Sequence, residues 1–177
     1  KMQAGLLAEV SFSPDEIPRV AEDGRYLASA IAYLKTYEEA AFERLQEAVR
    51  RVIPQVERLR VKRTKRQFVE TRYVSVEGRG VPIQETREAV GDELVFDMRG
   101  VGEITAKDVS EGTLLAVGLL TVLMSPACPS LVLFDDVEQA LHPKAQRELI
   151  RVLKDILKER ENLQIVVTTH SPYIVDA

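Results

Sequence analysis

Two short apolar runs, each cut off by polar side chains, constrain this chain more than any other feature. LVLFDD, residues 131–136, ends in two adjacent carboxylates, and LQIVVTTH, residues 163–170, ends at His170. Between them, PKAQRELIRVLKDILKER (143–160) puts Leu149, Leu153, Ile156 and Leu157 on one helical stripe, and Pro143 suits a first helical turn. Continuous apolar runs of this length read as parallel strands covered on both faces. Strand, helix and strand in so short a span make a right-handed parallel crossover. Both strands then end at the carboxyl edge of the sheet, where open α/β sheets bind ligands. Asp135, Asp136 and His170 are therefore expected to converge.

The rest of the chain divides by pattern. SEGTLLAVGLLTVLMS (110–125) is apolar nearly all round and predicts a buried helix. Residues 23–55 read as helical, with Asp23-Gly24 as the start, Thr36 as a break between two helices and Pro54 as the stop. Residues 56–99 read as an antiparallel meander of four short strands: VERLRVKRT, QFVETRYVSV, VPIQETREAV and DELVFDMRG, with EGRG (77–80) as a hairpin turn. Residues 1–22 suggest only loop or edge strand. Asp97 and Asp108 read as loop acids.

Composition excludes several classes. With 45% hydrophobic and 29% charged residues in 177, the chain suits one globular domain with a real core. One cysteine and two histidines leave no disulfide framework and no Cys/His zinc site. Cys128, in SPACPS, reads as a packed loop thiol. No stretch is apolar for long enough to span a membrane, so no membrane partner is expected. No signal peptide is visible, and a cytoplasmic location is expected. Net charge is −4, yet residues 44–72 hold ten basic and three acidic side chains. Such a stripe suits either a polyanion such as DNA or a solvated face.

A strand-end aspartate beside a second acid is the arrangement that phosphate-transferring P-loop enzymes use for Mg2+ and the attacking water. Asp135, first off the strand, would hold a metal-bound water, and Asp136 would orient or deprotonate the hydrolytic water. The alternative is a cluster of acids favouring the dipole of the following helix.

LVLFDDVEQALHP…TTHSPYIVD, with KDVSEGTLLAVGLL before it, resembles the C-terminal half of an ABC-type ATPase of the AAA/SMC/RecF-like class, OLD-like among AAA-family ATPases. EDGRYLASAIAYL and AVRRVIPQVERLRV resemble further segments of such proteins, so the resemblance covers residues 23–176. It implies an α/β fold: the C-terminal lobe of a P-loop NTPase, with parallel strands and a crossover helix, plus a helical and an antiparallel β segment. On this reading residues 1–177 are the C-terminal part of one ATPase domain: 23–55 helical, 56–99 the antiparallel meander, and 108–177 the signature, Walker B, D-loop and switch lobe.

The resemblance also implies roles. Asp135 matches the Walker B aspartate that serves the metal, Asp136 takes the place of the catalytic glutamate, and His170 matches the switch histidine that reaches the γ-phosphate. Ser110, Glu111 and Gly112 match the signature, which contacts nucleotide held by the partner subunit. A Ser-Glu-Gly turn opening a buried helix also offers free N–H groups to an anion. Ala140, Leu141 and His142 match the D-loop at the dimer interface, although His142 before Pro143 also reads as a helix-entry residue. Glu138 reads equally as a supporting partner of the site or as a solvated acid. The implied cofactors are ATP and Mg2+, and the implied partner is a second ATPase subunit joined through nucleotide.

Two departures stand against this pattern. Asp136 replaces glutamate, one methylene shorter. No G-x-x-x-x-G-K-[ST] occurs in the 177 residues, so an N-terminal phosphate-binding lobe is expected elsewhere and this chain alone is expected to be inactive. The alternative reading is a non-hydrolysing structural or nucleic-acid-binding module that keeps the fold without the P-loop.

Overall fold

Uniform apolarity sends residues 111–124 to the centre. In the computed structural model, which describes residues 1–13, 15–76 and 79–176, helix α4 (Glu111–Met124) buries Leu114, Val117, Leu120 and Leu123 on all sides. Ahead of it come α1 (Ala4–Leu7), α2 (Leu27–Tyr37) and α3 (Glu39–Val52). After it come α5 (Pro143–Glu159) and α6 (Pro172–Val175). The amphipathic α3 turns Phe42, Leu45 and Val49 inward and packs on both α4 and α5. Leu149, Val152, Leu153 and Ile156 of α5 complete the same core. Each such leucine contributes about 1.5–3 kcal/mol by leaving water.

The helical segment follows its prediction with shifted boundaries. Helix α2 starts at Leu27 rather than at Asp23-Gly24, after Gly24 and Tyr26 adopt positive φ values of 102° and 69°. The break between α2 and α3 falls at Glu38, two residues after Thr36. Within residues 1–22, Ala4–Leu7 is helical, and Ser11 bridges Asp92 as an edge.

The expected four-strand meander is corrected. Strands β1 (Val56–Val76) and β2 (Arg79–Met98) form one antiparallel ribbon, in unbroken register from Arg58↔Asp97 to Val76↔Arg79. A short β3 (Gly102–Thr105) pairs with the end of β2. The ribbon runs on because cross-strand partners continue through the expected breaks: Arg63 with Asp92, Gln67 with Glu88 and Arg72 with Glu85. Gly91 does not interrupt β2. It lets the backbone of Ser11 approach, where a β-carbon would collide with Val10, Ser11 and Phe12. Of the expected EGRG turn, Glu77 and Gly78 lie outside the described residues, and Arg79 and Gly80 belong to β2.

Asp97 is likewise corrected from loop acid to strand residue. It accepts two hydrogen bonds from Arg60, at 2.8 and 3.1 Å. Asp108 ends a 3-10 turn (Ala106–Asp108) and accepts from the Thr105 hydroxyl at 2.7 Å. Much of the basic stripe is paired inside the molecule: Arg60 and Lys62 with Glu103, Arg63 with Asp92, Arg51 with Asp155. Cys128 is half-buried, and that burial raises its thiol pKa.

Strands β4 (Leu131–Phe134) and β5 (Gln164–Val167) are parallel, in step from Leu131↔Gln164 to Phe134↔Val167, and α5 crosses between them. Coverage on both faces is corrected. Val132 is buried against the core, while Leu131, Leu133 (68% exposed) and Val166 face outward. The apolar run reported what these strands can bury, but among the described residues this side of the pair is covered only in part. Among the described residues no helix is long and apolar enough to cross a membrane.

Candidate functional site

Parallel pairing in register delivers both strand ends to one edge, and hydrogen bonds then lace them together. Thr168, just past β5, donates its hydroxyl proton to Asp135 Oδ1 at 2.6 Å. The Thr168 hydroxyl oxygen in turn accepts the Asp136 amide at 2.9 Å. Backbone bonds from Thr168 N to Phe134 O and from Val137 N to Thr168 O complete the lacing. One hydroxyl thus sets the carboxylate of Asp135 and the backbone of Asp136. Asp136 sits in the left-handed region at φ 49°, unusual for a residue with a β-carbon.

Three expected residues meet here. His170 Nε2 stands 3.7 Å from Asp136 Oδ1, with an imidazole 93% exposed. The Lys1 ammonium lies 2.8 Å from Asp136 Oδ2 and 3.7 Å from Asp135 Oδ2. Its hydrogen bond to Asp136 raises the lysine pKa. The Thr168 hydrogen bond, with help from Lys1, holds the Asp135 carboxyl below its ordinary value.

Glu138 underpins the histidine. Its Oε1 accepts the His170 amide at 2.6 Å. Burial works against its charged form, but the Thr169 hydroxyl and the His170 amide outweigh it, and the pKa falls. Glu138 Oε2 is buried without a partner. This resolves the two readings of Glu138: it is no solvated acid. The parts played by Thr168 and Thr169 were missed from sequence. Their only signal was a pair of hydroxyls between a strand and a histidine.

The remaining expected residues form a second cluster. Ser110 caps α4, its hydroxyl accepting the Thr113 amide at 3.3 Å, which leaves the first-turn amides of Glu111 and Gly112 to other acceptors. Gln139 donates to Glu111 Oε1 at 3.0 Å. A β-carbon at Gly112 would run into the carbonyl of Ala140, so only glycine allows this approach. Ala140 itself is at φ 55°. Leu141 is buried in the core, and His142 is the N-cap of α5, its Nδ1 accepting the Lys144 amide at 3.3 Å. Of the three expected D-loop residues, Ala140 meets Gly112 with its carbonyl and Leu141 with its side chain, while His142 turns to the start of α5. The segment Val137–Gln139 joins the two clusters.

Among the described residues no three His, Cys, Asp or Glu side chains gather as a cation cage. Asp135, with Oδ2 left free of Thr168, suits instead a hard ion that keeps most of its waters and shares phosphate oxygens.

The sequence profile of the family described as "AAA domain, putative AbiEii toxin, Type IV TA system" matches residues 10–176. Two solved Smc head structures share the architecture. The SmcHead bound to the C-winged helix domain of ScpA aligns with 99% of this chain and 48% of its own, at 16% identity and TM-score 0.54. The Smc head domain with an extended coiled coil bound to the C-terminal domain of ScpA, derived from Pyrococcus furiosus, aligns with 82% of this chain and 32% of its own, at 16% identity and TM-score 0.51. The chain thus spans less than half of either one. At such identity the likeness concerns the fold, a mixed α/β, P-loop NTPase-like lobe.

Proposed function

The chain belongs to this AAA-domain family, and from that premise we propose that it is the C-terminal lobe of an ATPase that hydrolyses ATP between two subunits. The observation that carries the reading is the convergence of Asp135, Asp136 and His170 at one sheet edge, joined through Thr168 and Glu138. Mg2+, when bound, would neutralise phosphate charge, and Asp135 is the residue that would hold it, through water. Asp136 orients the attacking water and accepts its proton at a carboxylate oxygen. His170 donates toward charge developing on the γ-phosphate, its ring free in solvent and its backbone fixed by Glu138. The Ser110–Gly112 turn offers its free amides to nucleotide on the partner subunit. The phosphate-cradling loop and its lysine come from residues outside these 177, and the isolated chain binds ATP weakly or not at all.

The test is made in the complete ATPase, which carries this lobe with its phosphate-binding loop. Asp136→Asn should nearly abolish hydrolysis, by roughly 10²–10⁴-fold, because an amide cannot accept the proton. ATP binding should survive. Asp136→Glu should keep or raise turnover. Hydrolysis by the asparagine variant at the parental rate would reduce Asp136 to a helix-favouring acid and defeat the reading.

A further inference from the structure

Outside the core, β1 and β2 pair only with each other from Lys62 to Val90, and almost every described side chain there is exposed. A lone two-stranded ribbon is marginally stable in water. Directly paired residues share a face, so Val69/Thr86, Thr71/Gln84 and Tyr73/Pro82 line one side of the outer ribbon. None of these six is charged and all are exposed, Tyr73 by 76%. The opposite side of the same stretch carries Arg72 and Glu85, in an ion pair at 3.6 Å. Charge depletion around an aromatic residue is the composition of an interface centre.

We propose that this uncharged face is a homodimer contact, on which the ribbon of a second copy stacks. Charge selects that occupant. Strand β1 carries seven basic and two acidic residues, and β2 carries five acidic and two basic. A closed dimer has two-fold symmetry. Edge-to-edge pairing about a two-fold joins β1 to β1 or β2 to β2, and like charges meet. Face-to-face stacking about a two-fold parallel to the strands lays β1 over β2 instead. Tyr73 then lies over Pro82 of the partner subunit and Val69 over Thr86 of the partner subunit. Lys65 comes beside Glu88 of the partner subunit.

Nucleic acid is a poorer occupant. Residues 56–98 hold nine basic against eight acidic side chains. Arg60, Lys62, Arg63 and Arg72 already have acidic partners in the same chain, so few cations remain to displace counterions from phosphates. The ribbon contact requires no nucleotide, so it stands apart from the ATP-dependent reading above.

Sedimentation velocity of the complete ATPase without nucleotide tests the proposal. The expected species has about twice the mass of the monomer. Val69→Glu and Tyr73→Glu should each weaken association at least about 30-fold, as for residues central to an interface. Thermal unfolding of the dissociated variants should match that of monomeric parent, since both side chains are exposed. Leu133→Glu, on the open face of β4, should leave the dimer intact. A parent chain that stays monomeric, a Tyr73→Glu variant that still dimerises, or dissociation by Leu133→Glu alone would overturn the ribbon contact.

Discussion

The strand-end cluster and the α4 turn are built on opposite physical terms. At the strand ends, polar side chains do the holding: Thr168 grips the Asp135 carboxylate and the Asp136 amide, and Glu138 holds His170 by its backbone. At the α4 turn, backbone rests on backbone: Gly112 leaves room for the Ala140 carbonyl and nothing larger. The first arrangement is sensitive to polarity and open to solvent, with an imidazole almost wholly exposed. The second is sensitive to volume at the buried Gly112, although Ser110, Glu111 and Ala140 around it are exposed. Removing a polar group should therefore damage chemistry at the strand ends with little loss of stability. Adding a methyl at the turn should do the reverse.

The largest effect tests the first half of that contrast. In the complete ATPase, His170→Ala should lower kcat about 10²-fold, the size expected for one lost transition-state donor. ATP affinity and thermal stability should stay near parental values. Calorimetry beside steady-state kinetics separates the two, and unchanged turnover would take His170 out of the site.

Gly112→Ala tests the second half. In an unobstructed helix the change would stabilise by about 1 kcal/mol through helix propensity. Here collision with Ala140 should reverse the sign and destabilise by about 1–3 kcal/mol, the usual range for overpacking. Thermal denaturation of the chain reads the sign directly. A rise in Tm would show that the 136–140 segment yields, and the contrast between the clusters would fail.

The smallest effect concerns Thr168. Its hydrogen bond favours the ionised Asp135, so the folded pKa lies below the unfolded one. That contribution is present above the unfolded carboxylate pKa and disappears as pH falls through the lower folded value. Thr168→Val should move the Asp135 titration upward toward an ordinary aspartate, while Thr168→Ser should retain the depression. Carboxyl carbon NMR follows both, and identical titrations in parent and valine variant would detach Thr168 from Asp135.

Legibility from sequence followed burial and period. Helices α4 and α5 and the two parallel strands were readable because one apolar pattern fills each of them. The ribbon was not. Lys65-Arg66 reads locally as a break, but continuity there depends on residues some twenty positions away, such as Glu88 opposite Gln67. The open face of β4 was misread for a related reason. Leu131 and Leu133 look the same in sequence whether or not anything covers them. At the strand ends, the charged residues stand out as letters, but Thr168 and Glu138 take their roles from the β4–β5 register, which no single segment encodes.

Asp136 and Ala140 both hold left-handed backbone, at φ 49° and 55°. Neither is glycine, and each conformation costs about 1–2 kcal/mol. The five-residue turn between the two clusters is therefore loaded at both ends, like a bow kept bent by what grips its tips. Thr168 holds one end and Gly112 the other. Loss of either grip removes what offsets the strained backbone at that end, so each tip depends on its own contact.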